Sequence, residues 1–227
     1  MSGGAKDPAA RRSRTAVALA ASVAIAAAAS AAPARADDRI RVDDTYGRIE
    51  GDLSLLGGLG ATFGPRAPRA SAEIRARYLG AAGLFASYED ALGLAVTTPR
   101  RLFALGLEGR PAFLGRWLLG KETGVAFLDL VVDSVGVDLG VVFAQPSDKP
   151  LSPRPGFESG LGLEIPLFGR ASGLFLTTRG GVRWSHLGLA GSTPGGADDR
   201  ALYGQVGLAW QEVFMAHLVD LGDRRDP

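Results

Sequence analysis

The stretch Arg69-Ala70-Ser71-Ala72-Glu73-Ile74-Arg75-Ala76-Arg77-Tyr78 alternates without a break. Arg69, Ser71, Glu73, Arg75 and Arg77 share one parity, and Ala70, Ala72, Ile74, Ala76 and Tyr78 share the other. A β-strand turns successive side chains to opposite faces, so this decamer predicts a strand with one charged face and one apolar face. In a soluble sandwich the apolar face turns inward and the charges meet water. A membrane barrel reverses this, with apolar residues toward lipid and polar ones toward the lumen.

The same period extends in both directions. Strands are expected at 46–63, 69–78, 82–89, 101–110, 134–144, 156–166, 172–186 and 200–214. No apolar run after residue 36 reaches the roughly 20 residues of a membrane-spanning helix, so any embedding must use strands. The connections 79–81 and 168–171 are tight, whereas 64–68, 90–100, 145–155 and 187–199 are longer or rich in Pro, Gly and Asp. With eight strands, the tight turns fall at one end and the long loops at the other, an asymmetry typical of outer-membrane barrels. Segment 111–133 breaks the period. Phe113 and Trp117 are four apart, and Phe127, Leu130 and Val131 repeat with helical spacing, which predicts one or two short amphipathic helices at the membrane interface. Thr123 is the expected N-cap of the second. Another hairpin here, giving ten strands, is the alternative.

Residues 1–36 read as an export signal. Arg11, Arg12 and Arg14 precede an uncharged Ala/Val-rich run over 16–32, and Ala34-Arg35-Ala36 offers a cleavage site. The barrel is expected over 37–218, followed by a charged tail at 219–227. The leader holds Lys6, Arg11, Arg12, Arg14, Arg35 and Asp7, so of 25 basic and 24 acidic residues 20 and 23 lie beyond it. This slightly acidic remainder argues against nucleic-acid binding. The chain has no cysteine, which excludes disulfides and thiolate metal sites.

Two residue sets follow from parity. The lumen is expected to hold a charge network of Arg48, Glu50, Asp52, Glu73, Arg75, Arg77, Glu108, Asp138, Glu164, Arg179 and Arg183. Arg69, Arg110 and Glu158 lie on the same face. The interior of an eight-stranded barrel is just wide enough for side chains to fill, so paired charges with glycines beside them predict a plug. The opposite face carries Phe63, Tyr78, Tyr88, Phe103, Phe143, Phe157, Trp184 and Trp210, mostly near strand ends, where an interfacial aromatic girdle is expected.

Over residues 46–214 this pattern resembles the small eight-stranded outer-membrane β-barrel proteins of Gram-negative bacteria. The resemblance implies a single closed antiparallel transmembrane barrel in the outer membrane with a structural or surface-interaction role. It further implies that outer-membrane lipid surrounds the barrel and that the loops face an extracellular or envelope protein partner. Members end their last strand with an aromatic residue. Phe214 fits that place, although 13 residues follow it. Some such barrels are lipid A acyl hydrolases that use Ser and His at the rim. Ser185 and His186 are the weak candidates here, but adjacent strand residues diverge, and the His-x-Ser spacing of those enzymes is absent. His186 and His217 make no metal site, Gly57-Gly58-Leu59-Gly60 lacks the Lys-Ser/Thr of a phosphate loop, and no cofactor is implied. A soluble barrel around an apolar ligand is the remaining alternative, and it requires Ile49, Leu53, Val137 and Leu208 to converge in one core.

Overall fold

A computed structural model describes residues 53–65, 67–92, 99–121, 123–145, 150–168, 170–185 and 200–216. All belong to one compact unit, Ile40–Pro227. Eight antiparallel strands close on themselves: β1 (Leu53–Phe63), β2 (Arg69–Tyr78), β3 (Ala82–Asp90), β4 (Arg101–Gly109), β5 (Gly136–Gln145), β6 (Gly156–Pro166), β7 (Gly173–Trp184) and β8 (Arg200–Phe214). Each pairs with its chain neighbours, and β8 returns to β1. Two helices, α1 (Pro111–Leu119) and α2 (Ala126–Asp133), fill the β4–β5 connection. The ten-strand alternative is therefore incorrect. The adjacent apolar residues Leu130-Val131-Val132 suit a helix face and would split across both sides of a strand.

Register fixes how the wall is sheared. Leu53 pairs with Tyr78, then Ala82, Gly109, Val137, Leu161, Gly180 and Gly204 follow around the wall, and Gly204 pairs with Phe63. One circuit thus climbs ten residues along β1. Such a stagger tilts the strands by about 35–45° and leaves an interior that side chains can fill.

The two ends of the barrel differ. At the end carrying the helices, β2 and β3 are joined by Leu79 and Gly80, both with positive φ (50° and 66°), and the Ala81 N–H donates to the Tyr78 carbonyl at 3.1 Å. Two consecutive left-handed residues turn a hairpin with the right-handed twist of the strands. At the same end the β6–β7 turn is held by the Gln211 amide, which donates to the Ala171 carbonyl at 2.6 Å. The longer connections lie at the opposite, loop end. Ser152 N–H donates there to the Ala144 carbonyl at 3.0 Å, and Arg69 donates to the Pro99 carbonyl at 3.2 Å.

The wall is inside-out relative to a soluble protein. Ile74 and Leu107 are 62% and 63% exposed, whereas Arg77 and Glu164 are 1% exposed. Leu53, Val137 and Leu208 share the outward parity, and Leu208 is exposed. Among the described residues no apolar core gathers these three, the arrangement that the soluble-barrel alternative requires. Ile49 lies outside the described residues, as do the expected export signal over 1–36 and the expected tail 219–227.

Candidate functional site

Among the described residues the lumen gathers most of the buried charge, and the register places it in two layers. In the layer nearer the helix end, β2 contributes Glu73, Arg75 and Arg77 at consecutive inward positions. Glu108 faces Asp138 across the β4–β5 pair, and Glu164 and Arg179 come from β6 and β7. Arg110, at the junction of β4 and α1, completes the set.

Arg75 donates from Nε to Glu73 (3.1 Å), from Nη1 to Glu108 (2.9 Å) and Asp138 (3.0 Å), and from Nη2 to Asp138 (3.0 Å). Arg179 joins Glu73 (3.0 Å), Asp138 (2.9 Å) and Glu164 (3.0 Å) from the far wall. Arg77 donates to Glu108 and to the Gln211 side chain, each at 2.9 Å, and pairs with Glu164. Arg110 donates to Glu108 (3.2 Å) and Glu164 (2.5 Å), and the Thr177 hydroxyl donates to Glu73 (3.1 Å). Four guanidinium groups thus meet four carboxylates. Each carboxylate receives at least three hydrogen bonds, which a desolvated anion needs.

The loop-end layer is built differently. Arg183 donates to Glu158 (2.5 Å), lies 2.8 Å from a Glu89 oxygen as an ion pair, and stacks 3.9 Å over the Tyr203 ring. Among the described residues neither Glu89 oxygen accepts a well-directed hydrogen bond, nor does the Thr62 hydroxyl find a partner. Beside these groups Phe85, Leu102, Ala104, Val142, Ala144 and Ala201 form a small apolar cluster. Phe85 links the layers, because the Arg75 guanidinium carbon sits 5.0 Å from its ring centre.

Glycines make this filling possible. A Cβ at Gly106 or Gly140 would come within 2.8 Å and 2.9 Å of the Phe85 ring, and one at Gly160 or Gly181 within 2.7 Å and 2.9 Å of Tyr203. A Cβ at Gly162 would collide with the Arg179 guanidinium. Sequence reasoning assigns these glycines to arginine, yet four of the five lie against an aromatic ring, and at Gly106, Gly140 and Gly181 a paired-strand carbonyl would come closer still, at 2.2, 2.7 and 2.3 Å. The missed residues, Phe85 and Tyr203, carry the inward parity. Their signal is a large aromatic facing glycine on the paired strands.

Of the expected network, Glu73, Arg75, Arg77, Glu108, Asp138, Glu164 and Arg179 come together, Arg183 stands in the other layer, and Arg48, Glu50 and Asp52 lie outside the described residues. Among the described residues no group of His and carboxylate side chains could hold a metal. Ser185 is half-buried at the end of β7, and His186 and His217 lie outside the described residues.

On the outer face the aromatics sort into two levels. At the loop end Tyr88, Phe103 and Phe143 are register partners in a row, and Phe157 packs on Trp184 with ring centres 5.5 Å apart; Phe63 ends β1 at the same level. Tyr78 and Trp210 lie toward the helix end. The helical insert departs from expectation in one respect. Thr123 does not cap α2: the N-cap residue is Val125, with no side-chain cap bond. Instead the Thr123 N–H and hydroxyl both donate to the Asp129 carboxylate, at 3.0 Å and 2.8 Å. A buried aspartate needs several donors, and this competes successfully with capping.

No protein-family model matches the sequence, and no curated protein matches it. Among solved structures the chain is similar to the N-terminal β-barrel domain of Pseudomonas aeruginosa OprF, with 12% identity and a TM-score of 0.41, over 71% of this chain and 98% of that one. It is also similar to the de novo designed TMB2.3, with 12% identity and a TM-score of 0.36, over 70% and 93%. A third is Ail, the attachment invasion locus protein of Yersinia pestis, solved in complex with the heparin analogue sucrose octasulfate. There the identity is 10% and the TM-score 0.33, over 71% and 99%.

Proposed function

We propose that this chain is an outer-membrane β-barrel with a side-chain-filled lumen, acting as a structural or surface-interaction protein and not as a diffusion pore. One observation carries this reading: an apolar outer wall encloses a lumen filled by buried ion pairs, saturated in the layer nearer the helices. Water around the wall would face large exposed leucines on nearly every strand, such as Leu84, Leu107, Leu161 and Leu202. Lipid removes that penalty. The dimensions agree. Leu53 to Phe63 spans ten steps, which at about 3.3 Å each and a tilt near 40° gives roughly 25 Å, the height of the apolar band of such barrels.

The lumen chemistry supports a closed plug. Arginine does not lose its proton, and every carboxylate of the helix-end layer is committed to it, so this layer offers no free base and no vacant ion site. A chain that enters the membrane from the periplasm leaves its tight turns on that side and its long connections outside, so the loop end is the surface available to an external partner. Outer-membrane fractionation followed by gel mobility of unheated and heated samples tests the proposal. An intact barrel migrates differently before heating, whereas recovery in the soluble periplasm sinks it. Bilayer conductance of porin size would separately refute the closed lumen.

A further inference from the structure

We infer that the α1–α2 insert is a lipid-immersed foot, a helical hairpin seated among the acyl chains of the leaflet at the helix end of the barrel. The inference rests on the outer-membrane reading above. Its ground is that the insert repeats the inside-out polarity of the wall.

Trp117, Leu118 and Leu119 on α1 and Val125, Phe127 and Leu128 around the start of α2 all point outward, with Leu118 74% exposed. The charged groups turn inward. Asp129 has no solvent exposure and accepts from the N–H groups of Thr123 and Gly124, the Thr123 hydroxyl and Arg116. Arg116 in turn donates to Asp133 (2.8 Å), the Asp129 carbonyl (3.2 Å) and the Lys121 carbonyl (3.0 Å). A hairpin in water has no need to hide its carboxylates beneath exposed leucines. In an apolar medium every polar group must be satisfied internally, and this clamp achieves it.

The insert is also fixed to the wall. The Ser134 hydroxyl donates to the Glu164 carbonyl (2.7 Å) and accepts from the Glu164 N–H (3.0 Å), and Phe113 and Leu130 are buried. Its apolar surface continues the outer band through Leu107, Val135 and Leu139. The other elements at this end carry exposed apolar side chains as well, in Leu79, Phe168 and Met215. A protein partner would call for a polar rim around the apolar patch. Among the described residues of 111–133, Lys121 and Thr123 are the exposed polar ones, both in the link between the helices. A collar lying about 5–10 Å into the leaflet boundary fits this distribution.

The test uses the full mature chain folded into phosphatidylcholine vesicles. The chain has three tryptophans, so Trp184→Phe with Trp210→Phe leaves Trp117 alone, and Trp117→Phe with Trp210→Phe leaves Trp184 alone. Gel mobility verifies folding of both. Acyl-chain-brominated phosphatidylcholine should quench Trp117 by about twofold or more, as expected for a side chain at that depth, and aqueous iodide should quench it several-fold less than in the urea-unfolded chain. Quenching of Trp184 but not Trp117 by brominated lipid overturns the foot while leaving the barrel standing. In that case, protection of Trp117 from iodide would mean a second copy covers it, and access to iodide would mean water does. If bromine reaches neither tryptophan, the barrel reading fails together with the foot.

Discussion

The two layers of the lumen show different ways of filling a narrow barrel. Near the helices, Arg75, Arg77, Arg110 and Arg179 balance Glu73, Glu108, Asp138 and Glu164, and each carboxylate is saturated. Near the loops, Arg183 faces two carboxylates, Glu89 and Glu158, with Tyr203 and an apolar cluster beside them. The first layer ties five strands into one unit, while the second holds mainly neighbouring pairs. A buried ion pair is worth little over an apolar filling but costs much when broken on one side. The balanced layer should therefore be the more brittle of the two, and the mixed layer the more tolerant.

The largest expected effect comes from Arg75→Met, which withdraws donors from Glu73, Glu108 and Asp138 at once. Urea unfolding of the refolded barrel should show a loss of about 3–5 kcal/mol. Arg183→Met should cost less, about 1–3 kcal/mol, because it leaves two carboxylates without their cation where Arg75 serves three, and one of the two, Glu89, accepts no well-directed hydrogen bond to lose. Equal costs for the two would erase the contrast between the layers. Gly162→Ala sharpens it. The new methyl displaces the Arg179 guanidinium, for about 1–3 kcal/mol, and the same change in an Arg179→Met background should cost close to nothing. Additive costs would place the strain in the backbone and not in the network.

The smallest effect lies in the insert and is read by pH. Burial pushes the Asp129 carboxyl up, but the Thr123 N–H and hydroxyl and Arg116 outweigh it and hold the group below the ordinary aspartate range. A carboxyl depressed in the folded state stabilises fully above its unfolded value, near 3.9, and that stability is lost as pH falls through the lower folded value. Trp117 emission in the single-tryptophan chain should stay constant from about pH 7 to 5 and change only below about pH 4. Asp129→Asn should shift the emission at neutral pH and remove the acid transition. A midpoint near pH 6 would mean that another group holds the hairpin.

The strand layout was legible because a period of two needs no tertiary information. The expected spans 69–78, 156–166 and 200–214 coincide with β2, β6 and β8, and the inward parity of Arg75, Glu108 and Arg179 could be read directly. The helices of 111–133 were legible from the break in that period. Thr123 was misread because its sequence position suits an N-cap, while the charge that claims its hydroxyl, Asp129, is six residues away. Phe85 and Tyr203 share the inward parity but carry no charge, so a charge pattern does not mark them as lumen residues.

Sequence alone determined which side chains share a face, since the pleat of a strand forces alternation whatever surrounds it. It could not determine their heights. Arg179 meets Glu73 across the lumen, 106 residues away in the chain, because each strand is slid against the next until one circuit climbs ten residues. That stagger belongs to the closed wall and not to any single strand, so only the tertiary structure decided which arginine meets which acid and which glycine faces which ring.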